Sequence, residues 1–313
     1  MSRKTSFIPL VMTALLILFP SVSLSGAARG VSVWAENAVP TLFPFMAVSA
    51  MLINSGALGG LAKICASFAS RIGLPRAASQ TMAVGMLSGY PVGAGMTAML
   101  YGQDRIQRNE VEITAAVSSF CSPVFIISTV GTKLMHNGAM GIIVLVSHYI
   151  SFAVALPLLR RIFGRSVQPC SELYSTDEKR MSFGNVLKVS VESAVKTILT
   201  VGGYIVLFSI IIEFIFKCGI LPENEYIRCA VSMMLEISNG CAAICSSSLS
   251  FEIKTALLCF CTTWGGLCVM LQINGFVSEC GVSGKKLMLF KLIQALFSAV
   301  CGFLLTLLFI RTN

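Results

Sequence analysis

The chain has 313 residues, of which 55% are hydrophobic and only 12% charged, and its mean hydropathy is +0.82. Soluble domains carry about 25% charged residues, so these figures exclude an ordinary soluble protein and point to an all-α polytopic membrane protein. The net charge of +9 reflects the Lys and Arg excess of cytoplasmic loops, so the expected partner is the lipid bilayer, with no nucleic acid. The 12 cysteines form no Cys-x-x-Cys pair and have no His at metal-ligand spacing, and read as buried small hydrophobes.

In chain order, Arg3 and Lys4 precede an apolar run over 7–24. This is either a signal peptide with a cleavage zone at 25–28 or a retained first helix; in a polytopic protein the retained helix is expected. Residues 27–37 then read as an outside loop, and 38–56 as a second span in which Pro40 suits a helix start and Pro44 a kink. Over 58–73, Leu61, Ile64, Phe68 and Ile72 share one helical face opposite Lys63, Ser67, Ser70 and Arg71. This is an amphipathic helix for the membrane interface. The apolar segment 79–101 is broken at Met86-Leu-Ser-Gly-Tyr-Pro-Val-Gly-Ala-Gly-Met-Thr-Ala98. Unwound backbone at membrane depth is tolerated only where it is buried in protein or lines a wet cavity, and broken segments are where transporters bind solutes.

A polar loop over 102–112 leads to a span over 113–133, interrupted at Ser118-Ser-Phe-Cys-Ser-Pro123, and a cleaner span over 137–159 that contains His148. After the polar stretch 160–185 the order recurs: a long helix over 186–216, a broken segment over 229–250, an interrupted span over 254–275 and a last span over 285–310. If both broken segments are re-entrant hairpins, only Arg29, Lys133, Lys217, Arg228, Lys254 and Arg311 fall outside, with Lys196 inside a span. Letting the first segment cross would carry Arg105, Arg108 and the basic linker outside and erase the positive-inside bias. Each half then has an odd number of crossings, so the halves are inverted repeats. The expected architecture is about seven transmembrane helices plus two re-entrant hairpins. It divides into an N-terminal helix (1–29), a first repeat (30–165), a cytoplasmic linker (166–185) and a second, inverted repeat (186–313). Phe120-Cys-Ser122 matches Phe260-Cys-Thr262 at the corresponding interruptions, and Ser151-Phe-Ala-Val154 resembles Phe297-Ser-Ala-Val300 in the closing helices.

Leu42-Phe-Pro-Phe45, Ser88-Gly-Tyr-Pro-Val-Gly-Ala94, Ser122-Pro-Val-Phe-Ile126 and Trp264-Gly-Gly266 with Gln272 resemble the sporulation integral membrane protein family YlbJ, which belongs with nucleoside-recognition, or Gate, domain proteins. The resemblance runs from about residue 30 to the C-terminus. It departs at the first interruption, where Ser119-Phe-Cys-Ser-Pro123 replaces the more usual Asn-Thr-Ser-Gly-Pro. It implies a fold similar to the concentrative nucleoside transporters and a role in endospore formation, moving a small metabolite such as dipicolinate across a forespore membrane.

Among residues that could carry chemistry, Glu236 stands out, because a carboxylate in an intramembrane segment costs about 2.5–3.5 kcal/mol on insertion scales. It could bind a coupling cation, Na+ or H+, accept a proton, or bond a polar solute; the alternative is a solvated place near the outer surface. Ser238 and Asn239 beside it, and Ser88, Gly89 and Tyr90 in the first broken segment, supply neutral donors and acceptors. The interruptions at Ser122 and Pro123, and at Thr262, Thr263, Trp264 and Gly265, would expose backbone groups and half-helix N-termini that favour an anionic solute without a fixed positive side chain; close helix packing explains the same small residues. Trp264 could stack on an aromatic solute. Glu192 and Lys196, four apart, form a favourable helix pair, and His148 is a hydrogen-bonded core residue or a proton relay. No catalytic, cofactor or metal motif occurs. The expected protein is a multi-pass cell-membrane transporter or channel for a small polar solute, in competition with a non-transporting scaffold of spore assembly. An oligomer or a partner protein is left open.

Overall fold

The computed structural model describes residues 3–57, 59–71, 76–164 and 182–312, so nearly all of the linker over 166–185 lies outside the described residues. Every element among them is helical: α1 (Arg3–Leu18), α2 (Pro20–Val33), a π-helical stretch (Trp34–Ala38), α3 (Val39–Asn54), α4 (Gly59–Arg71), α5 (Arg76–Ser88), α6 (Val92–Gly102), α7 (Arg108–Val117), a second π-helical stretch (Phe125–Leu134), α8 (Gly138–Phe163), α9 (Phe183–Lys217), α10 (Glu225–Leu235), α11 (Ile237–Ser246), α12 (Phe251–Trp264), α13 (Gly266–Glu279) and α14 (Lys285–Thr312).

The helices are built inside out relative to a soluble bundle. On α14, Leu296, Val300, Leu304 and Leu308 recur every four residues and are exposed, whereas Lys291, Gln294, Ser298 and Thr306 are fully buried. On α8, Ile142, Val146, Ile150 and Val154 face out while Ser147, His148 and Ser151 face in. A continuous apolar stripe on the outer face is stable in lipid and costly in water. Among the described residues, five stretches are long and apolar enough to cross a membrane: Pro20–Asn54, Gly138–Leu159, Phe183–Lys217, Phe251–Glu279 and Lys285–Arg311.

Five rather than about seven spans meet that description for two reasons. First, residues 27–37 are not a loop. They continue α2 through the π-helical stretch into α3, making one helix of 35 residues that runs antiparallel along α9. Small residues make this possible: a Cβ on Gly26 would lie 2.8 Å from the Ile210 Cα, and one on Gly30 2.7 Å from the Val206 Cα. The Trp34 indole N–H then donates to the Ile198 carbonyl (3.0 Å), and Ser32 takes up Glu36 (2.7 Å) within the same helix. Second, the span over 113–133 is broken into α7, an unwound segment and a π-helical stretch.

The second half of the polar loop over 102–112 is also helix, and its two glutamates are caps. The Glu110 carboxylate accepts the Gln107 amide (2.8 Å) in a capping box that opens α7. The Glu112 carboxylate accepts the amides of Lys286 (2.7 Å) and Leu287 (3.2 Å) at the start of α14. In α4, Ile64 is exposed while Cys65 and Ala69 are buried; the side chains of Leu61 and Phe68, and Ile72 itself, lie outside the described residues.

Both broken segments are helical hairpins. α5 and α6 pack against each other and turn at 89–91, and α10 and α11 turn at the single residue Glu236. At the base of the second, Glu225 accepts the Ser248 amide (3.0 Å) and its hydroxyl, which holds the Glu225 carboxyl below the ordinary glutamate range. The interrupted segments lie antiparallel: Arg108, opening α7, donates to the carbonyl of Gly281 beyond α13, while Thr255 of α12 lies against Met140 at the start of α8. The second break is not at Phe260-Cys-Thr262, which stays helical, with the Thr262 hydroxyl donating back to the Leu258 carbonyl (2.8 Å). It falls at Gly265 and Gly266, both with φ +78°.

Candidate solute-binding site

Each hairpin tip rests backbone to backbone on an interruption. Gly89 has φ +76°, and a Cβ there would lie 2.6 Å from the Ser122 nitrogen. Only glycine permits both that conformation and that approach. At the second tip, a Cβ on Gly266 would lie 2.8 Å from the Leu235 carbonyl oxygen and 2.9 Å from the Glu236 nitrogen. Tyr90 then crosses between the halves: its hydroxyl donates to the carbonyl of Thr263 (2.9 Å), with that of Thr262 at 3.4 Å.

A cavity of about 50 Å³ lies where these parts meet. Its polar lining comes from Tyr90, Ser122, Glu236, Ser238 and Gln272, and its apolar wall from Leu42 of α3 and Val201 and Ile205 of α9. The buried Ser122 hydroxyl has no hydrogen-bond partner, and an unmatched buried polar group costs about 1–3 kcal/mol. It is an acceptor and donor free to meet a solute. The volume admits a few waters, so a larger solute requires the tips to part.

Glu236 is fully buried, and its carboxylate is already engaged as the N-cap of α11. Oε1 accepts the Ser238 amide (3.0 Å), and Oε2 accepts the Asn239 amide (2.7 Å) and side-chain N–H (2.8 Å). The negative group that the α11 N-terminus favours is therefore the protein's own. Asn239 also donates to Ser209 (2.8 Å), tying the tip to α9.

Beside the cavity lies a polar network that the sequence reading did not assemble. The Cys121 amide donates to His148 Nε2 (3.3 Å), which leaves the proton on Nδ1 to donate to the Thr263 hydroxyl (2.8 Å); that hydroxyl donates to Ser298 (2.9 Å). Lys291, which the charge count puts among the inside residues, is fully buried. Its ammonium donates to the carbonyl of Ser119 (2.7 Å) and to Gln294 Oε1 (2.8 Å), and lies 5.6 Å from the centre of the Tyr90 ring. The site region thus does hold a basic side chain.

The remaining candidates are scattered. Ser88 is buried, its hydroxyl unpartnered, in a second cavity of about 120 Å³ with Asn54, Ser193 and Thr197. Pro123 is half-buried after the unwound turn. Trp264 is buried with its indole N–H donating to the Met234 carbonyl (3.3 Å), and Gly265 packs on Val269. Glu192 and Lys196 are both exposed on α9, and no ion pair among the described residues joins them. Among the described residues no group of three His, Cys, Asp or Glu is placed to hold a metal ion.

Residues 35–166 match the family model Gate, described as nucleoside recognition. The chain is also 29% identical, over 331 aligned residues, to "Sporulation integral membrane protein YlbJ" of Bacillus subtilis (strain 168). That match covers 95% of this chain and 80% of the relative. No solved structure matches.

Proposed function

We propose that this Gate-domain, multi-pass membrane protein is a transporter or channel for a small polar organic solute, a dipicolinate-like carboxylate or a nucleoside, acting in endospore formation. The observation that carries the reading is the cavity at which Tyr90 of one hairpin, Ser122 of one interruption and Glu236 of the other hairpin converge, with the Ser122 hydroxyl unpartnered. Two hairpins whose tips rest on interruptions, and interrupted segments that run antiparallel, support two inverted repeats with re-entrant tips. The spore setting follows the likeness to a sporulation integral membrane protein, and the forespore membrane is the proposed location.

The test is flux of pyridine-2,6-dicarboxylate and uridine into proteoliposomes. Wild type carries one of them above protein-free liposomes, and Ser122→Leu, which fills the cavity, abolishes that flux. Absence of flux for both solutes would favour a non-transporting scaffold of spore assembly. Single cysteines introduced at 104 and 252 label from opposite sides if the hairpins are re-entrant.

A further inference from the structure

The geometry points to Lys291 as the anion-recognition group of this site, screened from the cavity by Tyr90, so that the solute it selects is a carboxylate rather than a neutral nucleoside. This rests on the cavity being the solute site and names the solute class it takes.

Lys291 is 0% exposed on the inner face of α14. An ammonium has three N–H groups and no acceptor. Two of them reach neutral oxygens, the Ser119 carbonyl and Gln294 Oε1, and the π face of Tyr90 is the nearest aromatic surface. The ion pairs among the described residues join Arg29 to Glu213 and Lys217 and Arg228 to Glu223; none includes Lys291. Glu236, the acid nearest in kind, is committed to the α11 N-terminus by three N–H bonds. A buried lysine holds its charge only at large desolvation cost unless a counter-charge meets it, and an entering carboxylate would supply that counter-charge. The chain supplies acceptors for its protons but no described carboxylate for its charge.

Tyr90 connects this cation to the cavity. Its ring both lines the cavity and lies over the ammonium. Its hydroxyl is fixed by the Thr263 carbonyl, which belongs to the same Thr263 that His148 and Ser298 bond through the hydroxyl. Releasing one hydrogen bond lets the ring turn, and a carboxylate in the widened cavity then takes the place of the Tyr90 π face on Lys291. Gln294 and the Ser119 carbonyl hold the ammonium in position during the exchange. A neutral solute has no such replacement to offer and gains nothing from turning the ring.

The experiment compares pyridine-2,6-dicarboxylate with its uncharged isostere, pyridine-2,6-dicarboxamide. Both are measured by flux in proteoliposomes and by the shift in thermal unfolding of the detergent-purified protein. Wild type prefers the dicarboxylate. Lys291→Gln, which keeps a donor on a side chain one atom shorter and removes the charge, lowers the dicarboxylate's advantage about tenfold or more, the range of a charge-assisted hydrogen bond, and affects the dicarboxamide less. Lys291→Arg retains the advantage. Equal loss for both compounds in Lys291→Gln, with the fold intact by thermal unfolding, would overturn the proposal and make Lys291 a packing residue. If wild type shows no flux but the dicarboxylate still raises its unfolding midpoint and Lys291→Gln removes that shift, transport fails while the anion site stands. If the dicarboxylate binds wild type and Lys291→Gln alike, the anion assignment fails while transport is judged on its own flux.

Discussion

Gly89→Ala tests the contact on which the site is built. At φ +76° an alanine pays roughly 1–2 kcal/mol for the left-handed backbone. Its Cβ would also lie 2.6 Å from the Ser122 nitrogen and 2.8 Å from both the Ser122 Cα and Cβ. These are mostly backbone atoms in a segment held by its own bonds, so the tip must back away, at a further cost of about 1–3 kcal/mol for overpacking. The sum is about 2–5 kcal/mol. Gly275→Ala on α13 is the control: nothing lies within 4 Å of its Cβ position and its φ is ordinary, so it should be neutral or stabilising by up to about 1 kcal/mol. The assay is thermal unfolding in detergent followed by a thiol-reactive dye, since Cys121, Cys241, Cys259 and Cys261 are free and buried until the fold opens. Gly89→Ala should unfold several degrees below wild type, and Gly275→Ala at or above it. Coincident midpoints for Gly89→Ala and wild type would mean that the hairpin tip does not sit on Ser122.

Glu236→Gln replaces a carboxylate that accepts three N–H bonds by an amide with a single acceptor oxygen. It should lower stability by about 1–3 kcal/mol in the absence of any solute, and an unchanged unfolding midpoint would refute its role as a cap. Gly30→Ala should likewise destabilise by about 1–3 kcal/mol, because the added Cβ meets the Val206 Cα at 2.7 Å. Gly184→Ala on α9, with open space around it, should not, and equal midpoints for the two would argue against residues 27–37 packing as helix on α9.

How far the sequence carried depends on what each signal measures. Gly, Pro and Ser in an apolar run mark broken helices because the backbone there must be satisfied by something other than the helix, and the two hairpins were readable on that ground. The insertion cost that singles out Glu236 says only that a carboxylate must be satisfied, not by what. A cap motif was present, since an acid directly before Ile237-Ser-Asn-Gly240 stands at an N-cap position. The loop over 27–37 was misjudged because Arg29, Glu36 and Asn37 look solvated. Gly26 and Gly30, four apart, are the small-residue spacing that draws two helices together, and the packing they permit outweighs the charges. By charge alone Lys291 counts with Lys285 and Lys286 as an inside residue at the start of the last span. Six residues into a helix is about 9 Å at 1.5 Å per residue, and Gln294 and Ser298 at i+3 and i+7 place it on a polar stripe facing inward.

These corrections change what the charge count says about the hairpins. Joining residues 20–54 in one helix leaves one crossing before α4 instead of two, so the side of everything after Asn54 reverses relative to the N-terminus. α1 has 16 residues, about 24 Å of helix against a hydrocarbon core of about 30 Å, so Arg3 and Lys4 no longer fix the orientation. Withdrawing Lys291 into the core removes one inside charge. The inside assignment then rests on Arg105 and Arg108 beside the first hairpin, the basic residues from Arg160 to Lys188, and Lys285 and Lys286. Arg108 and Lys286 are near one another through structure as well as charge, since Arg108 bonds Gly281 and Glu112 caps the helix at Lys286. A first hairpin that crossed the membrane would move Arg105, Arg108 and the linker together. Because α7 and the start of α14 are bonded at one level, Lys285 and Lys286 would move with them, so the bias would reverse as a block. The positive-inside rule therefore orients that whole end of the molecule, and it puts the first hairpin's base on the same side whether that hairpin is re-entrant or crosses.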